Sequence, residues 1–460
     1  MTSSLPSPTF RDPAGSLHFE EDRVVRSIHA SAQDSVMEFL ASPFCLRAQG
    51  RGDLIAAEVD ESASGLRLVH PRIPVPSYPW EWTPSQWLAA AELTLRLCDE
   101  ALDDGLILKD ATPLNILFTG SRPVFVDILS FERRDPASSI WLAYGQYMRT
   151  FLLPLVMHGL MGWPLELSCF KRDGYEPMEL YAAMGWRQRL SRSAFWPVTL
   201  PAWLERGKNR ATAPPKPAGK SDPEMTKHIL KRTLAGLLQR TRRAVPKHLP
   251  SQWADYSSTL THYTPEQSAE KRNWVRKTLE ELHPGRVLDV GANTGEFSAL
   301  AAEMGAEVVA LERDEAAAER LFLMSQLTGV TIQTIHADLA RPTPAVGWEN
   351  SESSTLLSRL EGQSDLVLML AVIHHLILME QIPLPAIMAL CRRLARRYLV
   401  VEWVPVTDPM FQSLMRGRGD LYGGLTESDL LAACEGQFTV KHRLVLGNNR
   451  VLFLMETVQH

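Results

Sequence analysis

The chain has 460 residues, of which 45% are apolar and 22% charged, and it carries a formal net charge of −5. That length suggests two or three domains, and the composition is that of a globular protein rather than a disordered or fibrous one. The mildly acidic balance gives no global pull toward nucleic acid or anionic membranes. The five cysteines, Cys45, Cys98, Cys169, Cys391 and Cys434, are scattered with no Cys-x-x-Cys pair. This argues against a zinc site or a disulfide framework and fits a reducing cytoplasm, the expected location. The start, MTSSLPSPTFRDPAG, lacks the basic-then-apolar order of a signal peptide.

Residues 1–205 read as an N-terminal α+β domain rich in aromatics and prolines. DLIAAEVD and LRLVHPRIPV are candidate strands. WTPSQWLAAAELTLRLCDEALDDG is a long helix leading into LKDATPLNILFTGSRPVFVDILSFE (108–132), which has a strand–turn–strand pattern. FLLPLVMHGLMGW (151–163) is short of the roughly 20 residues of a spanning helix, so it is expected to be a buried helix, and no transmembrane segment is expected.

The run Asp110-x-x-x-x-Asn115, followed after a hairpin by Asp127, resembles the catalytic core of protein kinases and related phosphotransferases. The resemblance implies that Asp110 orients a hydroxyl or acts as base, and that Asn115 and Asp127 hold metal. The chain departs from the pattern: it has no glycine-rich loop before this segment and no strand lysine, and Ile128 and Leu108 stand where glycine and histidine are usual. The expectation is a kinase-like or accessory domain without phosphoryl transfer, serving acceptor recognition or assembly. The plainer alternative is that Asp110 and Asn115 tie a turn.

Residues 206–250 read as a basic linker and amphipathic helix. The first part is rich in Pro, Ala and Lys. Ser221-Asp222-Pro223-Glu224 then offers a cap and a first-turn proline. Ile229, Leu230, Leu234, Leu237 and Leu238 share a helical face, which is expected to dock on a domain. A protein or membrane-surface contact through 221–248 is the alternative.

Residues 251–460 alternate strand and helix. Strand-like runs are RVLDVGA, EVVALE, TIQTIHAD, DLVLMLAVI and YLVVEWV, and two more, TVKHRLVL and RVLFLME, flank the turn Gly447-Asn448-Asn449. This predicts an α/β domain with a parallel sheet ending in an antiparallel hairpin. In VLDVGANTGEF (287–297) a glycine turn follows Asp289, spaced Gly291-x-x-x-Gly295 rather than as a dinucleotide fingerprint.

This motif resembles the first motif of class I S-adenosylmethionine-dependent methyltransferases, over about residues 255–460. The resemblance implies a Rossmann-like seven-stranded sheet and S-adenosylmethionine as cofactor. Its expected contacts are Asp289, Gly291, Asn293, Gly295, Glu312 at the second strand end, Asp338 at the third and Leu370 at the fourth. His374 and His375 in LAVIHHL, and Glu402 in VVEWVP, are the catalytic candidates, since a hydroxyl or protonated amine acceptor needs a base. Asp408 and 415–420 read as a charged surface loop. The long connection 339–364, with Trp348, is a lid or a surface excursion.

The expected acceptor is a small molecule or sugar-bearing metabolite. A protein acceptor, a fused ATP-dependent phosphotransferase and a non-catalytic cofactor sensor are the alternatives. Nucleic acid ranks low, because basic density is confined to the linker. No metal is expected in the back half.

Overall fold

The computed structural model describes residues 12–20, 22–60, 65–207, 222–246, 249, 263–415 and 418–458. The chain divides into two compact units, Met1–His248 and Leu249–His460. Most of the linker, Ser221 and residues 416–417 lie outside the described residues.

In the first unit β1 (Gly15–Phe19), β2 (Arg23–Ile28), β3 (Glu58–Asp60) and β4 (Arg67–Pro71) form an antiparallel sheet in the order β1-β2-β4-β3. The segments DLIAAEVD and LRLVHPRIPV contain β3 and β4. The helix Pro84–Ala101 starts where Thr83 caps the Gln86 amide and Pro84 occupies the first turn. It buries Trp87, Leu93, Leu95 and Leu97. Gly105, at φ 72°, turns the chain into β5 (Leu106–Leu108), which pairs with β8 (Phe131–Arg133). Between them β6 (Ile116–Thr119) and β7 (Arg122–Phe125) form the expected hairpin.

Leu153–Met161 is a helix whose first six residues are buried, so the apolar run is core. The helix Pro223–Ala244 buries Leu230, Leu234 and Leu237 and contacts the helix Pro84–Ala101. Its cap is Asp222, whose side chain accepts from the Glu224 amide at 3.2 Å. Lys231 pairs with Asp99 and Asp103, and Arg242 with Glu92. The leucine face is therefore packed within this unit, while Ile229 is exposed.

The second unit is built on one seven-stranded sheet: β9 (Arg286–Val290), β10 (Glu307–Glu312), β11 (Ile332–His336), β12 (Ser364–Met369), β13 (Ala395–Trp403), β14 (Phe438–Val445) and β15 (Val451–Thr457). The order is β11-β10-β9-β12-β13-β15-β14. The first five strands are parallel, and β15 is antiparallel to both β13 and β14. The parallel strands read as nearly continuous Val, Leu and Ile because helices cover both faces.

Two boundaries differ from expectation. β12 stops at Met369, because Ala371 takes φ 57° and the chain turns into the helix Ile373–Leu378. β13 begins at Ala395, ahead of the expected run YLVVEWV, which starts at Tyr398. Pairing of Ala395 with Ser364 recruits these residues into the sheet. The 339–364 connection is compact: Val346 bridges Ser353, and Thr355 caps the short helix Leu356–Leu360. Trp348 on it is 58% exposed. Among the described residues, no helix is long and apolar enough to cross a membrane.

Candidate cofactor and acceptor site

The carboxyl end of a parallel sheet is where strands hand over to helix amides, and ligands collect there. In the second unit this end begins at Gly291, with φ 69°, and Gly295, with φ 90°, on either side of Asn293, with φ 50°. The Gly291 and Ala292 amides both donate to the Leu311 carbonyl, at 2.8 and 3.1 Å, which ties the turn to β10. A Cβ on Gly291 would lie 2.6 Å from Val372 Cγ2, and one on Gly295 would lie 2.9 Å from Leu321 Cγ. Both positions therefore need glycine for conformation and for space.

Glu312, at the tip of β10, accepts the Asn293 amide at 2.8 Å and the Asp314 amide at 2.7 Å. Burial raises its pKa, and these amides oppose the shift. Each carboxylate oxygen keeps further acceptor capacity. Asp289 is buried beneath the turn and receives the Ser298 hydroxyl at 2.6 Å. Burial pushes its pKa up to about 7, against that hydrogen bond. The Oδ1 of Asn293 is buried with no hydrogen-bond partner among the described residues. An orphaned acceptor beside an anchored carboxylate fits a ligand rich in hydroxyl and amino donors, such as an adenosyl group.

Asp338 stands past the end of β11. Its Oδ1 accepts the Ala340 amide at 2.9 Å and its Oδ2 pairs with Arg341 at 3.0 Å. Arg341 and Arg313 converge on Glu380. Asp365 lies at the other end of the sheet, where it accepts the Arg286 amide at 3.0 Å and pins the register. Leu370 is buried at the end of β12.

The histidine pair sits on the helix Ile373–Leu378, with ring centroids 4.2 Å apart. His374 is buried, while His375 is partly exposed. His375 Nδ1 lies 3.5 Å from Met379 Sδ. Burial, helped by Arg313 and Arg450, lowers the His375 pKa to about 4. Its imidazole is therefore neutral at physiological pH.

Glu402 is fully buried. Lys271 donates to its Oε2 at 2.7 Å, and Tyr263 and Arg450 donate to its Oε1. Arg450 also donates to Tyr263 Oη at 2.8 Å and pairs with Asp408 at 2.8 Å. Two cations thus offset two carboxylates in a closed network. Burial alone would raise the Glu402 pKa, but Lys271 and Arg450 overcome it and leave the value below the ordinary one. Asp408 is buried rather than part of a surface loop, because Arg450 needs a second anion. No motif marked Tyr263, Lys271 or Arg450. The only sequence signal was a lysine on the buried face of one helix and an arginine immediately before an apolar strand.

In the first unit, Asp110, Asn115 and Asp127 do come together. Asn115 Nδ2 donates to Ser130 Oγ at 3.1 Å and to the Asp110 carbonyl at 3.3 Å. Ser130 donates to Asp127 Oδ2. Asp127 Oδ1 is held by Nη1 of the buried Arg26 at 2.9 Å. Burial, with Asp127 nearby, raises the Asp110 pKa. These residues do not fit a divalent metal as they stand, because a guanidinium already neutralises Asp127. Among the described residues no group of three or more His, Cys, Asp or Glu is arranged to hold a metal.

No family model matches the chain. It is 28% identical to the nodulation protein NoeA of Rhizobium meliloti (strain 1021), over 97% of this chain and 95% of that protein. Similar solved structures include magnesium protoporphyrin IX methyltransferase (ChlM) from Synechocystis PCC 6803 with bound SAH. That structure is 17% identical, covers 49% of this chain and 95% of its own, and has a TM-score of 0.31. The N-methyltransferase NodS from Bradyrhizobium japonicum WM9 is 14% identical over 42% of this chain and 98% of its own, with a TM-score of 0.32. The bifunctional kinase-methyltransferase WbdD is 15% identical over 46% and 48%, with a TM-score of 0.33. With its strand order, reversed last strand and glycine turn, the second unit resembles the class I S-adenosylmethionine-dependent methyltransferases.

Proposed function

We propose that this protein is an S-adenosylmethionine-dependent methyltransferase acting on a small-molecule or sugar-bearing metabolite, with the first unit serving acceptor recognition or assembly. The observation that carries the reading is the pairing of Glu312 with the Asn293 amide across the glycine turn, beside the orphaned Asn293 Oδ1. In this reading Glu312 accepts the ribose hydroxyls, Asn293 and the Gly291–Gly295 backbone line the amino-acid portion, and Asp338 and Leu370 border the adenine. Asp289 braces the turn from below. When bound, the cofactor supplies a methyl group activated by its sulfonium.

His375, held neutral, is the base for an acceptor proton, and His374 packs behind it and fixes its ring. Glu402 is a positioning residue: with both oxygens engaged, it holds the floor of the acceptor side rather than taking a proton. The Arg26–Asp127 pair supports one activity rather than two, since a metal–nucleotide complex would have to displace a buried guanidinium. The NoeA relative spans nearly the whole chain, which supports the two units working as one protein.

The test is methyl transfer from isotope-labelled S-adenosylmethionine into host extract, fractionated by size, with Glu312→Ala as control. Label in the small-molecule fraction, lost in the control, is expected. Label confined to protein would replace the acceptor class. Failure of the wild type to bind the cofactor in calorimetry would overturn the whole reading.

A further inference from the structure

In the first unit the segment 186–206 combines two features. The first is exposed apolar surface: Trp186 is 68% exposed, Leu190 57%, Trp203 46% and Leu204 59%. The second is positive charge. Arg187, Arg189, Arg192 and Arg206 stand against a single acid, Glu205. None of the four arginines forms an ion pair with a carboxylate among the described residues, whereas arginines on other surfaces do, as in Arg133–Glu38, Arg286–Glu307 and Arg443–Glu427.

Part of this segment gathers on the Tyr181 ring. Trp203 stacks edge-on against Phe195 at 5.8 Å and donates to Tyr181 Oη at 3.1 Å. The guanidiniums of Arg189 and Arg206 lie 4.0 and 4.7 Å from the centre of that same Tyr181 ring. Arg189 Nε is buried with no hydrogen-bond partner among the described residues. Two cations held against one ring, without a carboxylate, present a site for an external anion such as a phosphate. Trp186 and Trp203 offer exposed amphipathic rings, and Leu190 and Leu204 exposed apolar side chains, of the kind that suits a bilayer interface. Bare aliphatic leucines distinguish this surface from a base-stacking platform, which uses aromatic faces.

We infer that the Tyr181–Trp186–Trp203 face docks this protein onto an anionic phospholipid surface, with Arg189 and Arg206 on headgroup phosphates and Leu190 and Leu204 at the acyl boundary. The contact is distinct from the helix Pro223–Ala244, whose leucines are spent on internal packing. It does not depend on the methyltransferase reading.

The test is co-sedimentation of the full chain with vesicles of phosphatidylcholine alone and of phosphatidylcholine with phosphatidylglycerol. Binding to the anionic vesicles only, weakened by added salt, is expected. Arg189→Gln with Arg206→Gln should lower the partition coefficient about thirty-fold, from about 1 kcal/mol per basic residue at such a surface. Leu190→Ser with Leu204→Ser, which touches exposed side chains only, should lower it about tenfold or more. Thermal melting checks that both variants fold. Equal binding to both vesicles, no binding to either, or binding unchanged in both variants would overturn the inference. So would RNA binding or self-association through these residues in the absence of vesicle binding.

Discussion

Replacing Gly291 by alanine tests the turn most directly. The residue sits at φ 69°, where an L side chain costs about 1–2 kcal/mol. Its new Cβ would meet Val372 Cγ2 at 2.6 Å, far inside the roughly 3.5–4.0 Å optimum for two carbons. Overpacking of that kind costs about 1–3 kcal/mol, giving roughly 2–5 kcal/mol in all. The two parts are separable, because only the contact depends on Val372. The variant Gly291→Ala with Val372→Ala should recover the contact part, a coupling of about 1–3 kcal/mol in a double-mutant cycle. Val372 immediately precedes the helix Ile373–Leu378, so the single variant should also displace the histidine pair and weaken cofactor affinity, and the double variant should restore it in part. Urea unfolding reads the stability and calorimetric titration with S-adenosylmethionine reads the affinity. Strict additivity in both would refute the claim that position 291 needs glycine for space against Val372.

Lys271→Met should destabilise the second unit by about 3–5 kcal/mol, because it leaves the Glu402 carboxylate buried with half its counter-charge. The Glu402 pKa is lowered in the folded state, so its stabilisation is present above the ordinary glutamate value and is lost as pH falls through the folded one. Melting temperatures of the variant should therefore begin to fall at a higher pH than those of the wild type, and coincident acid limbs would contradict the network. His375 should titrate near pH 4 in a proton NMR series. Its contribution to stability is complete above about pH 6.5 and is lost as pH falls toward 4, so a midpoint at the ordinary value of about 6.5 would contradict the burial of its imidazole. Asp110→Ala should leave methyl transfer within about a few-fold of wild type, unlike Glu312→Ala. The wild type should show no magnesium-dependent ATP binding, and binding abolished by Asp127→Asn would restore the phosphotransferase reading.

Local sequence determined the second unit to an unusual depth. Short apolar runs alternating with helical stretches fit parallel strands buried on both faces, and the Gly447-Asn448-Asn449 turn favours an antiparallel last pair. Gly291 and Gly295 announce positive φ through residue type alone. The acids Glu312 and Asp338 stand at strand ends because their spacing follows the β-α repeat. The docking of the helix Pro223–Ala244 was legible too, since its leucines repeat at core spacing. Tertiary structure alone decided the chemistry around these elements. Glu402 reads as a catalytic candidate in VVEWVP, but Lys271, Arg450 and Tyr263 come to it from 131, 48 and 139 residues away in sequence. Asp127 reads as a metal ligand until Arg26, 101 residues earlier, is found holding it. Periodicity and turn chemistry act over a few residues and are written into neighbouring side chains. Ion pairing is decided by which elements the fold sets side by side, and no local pattern encodes the partner.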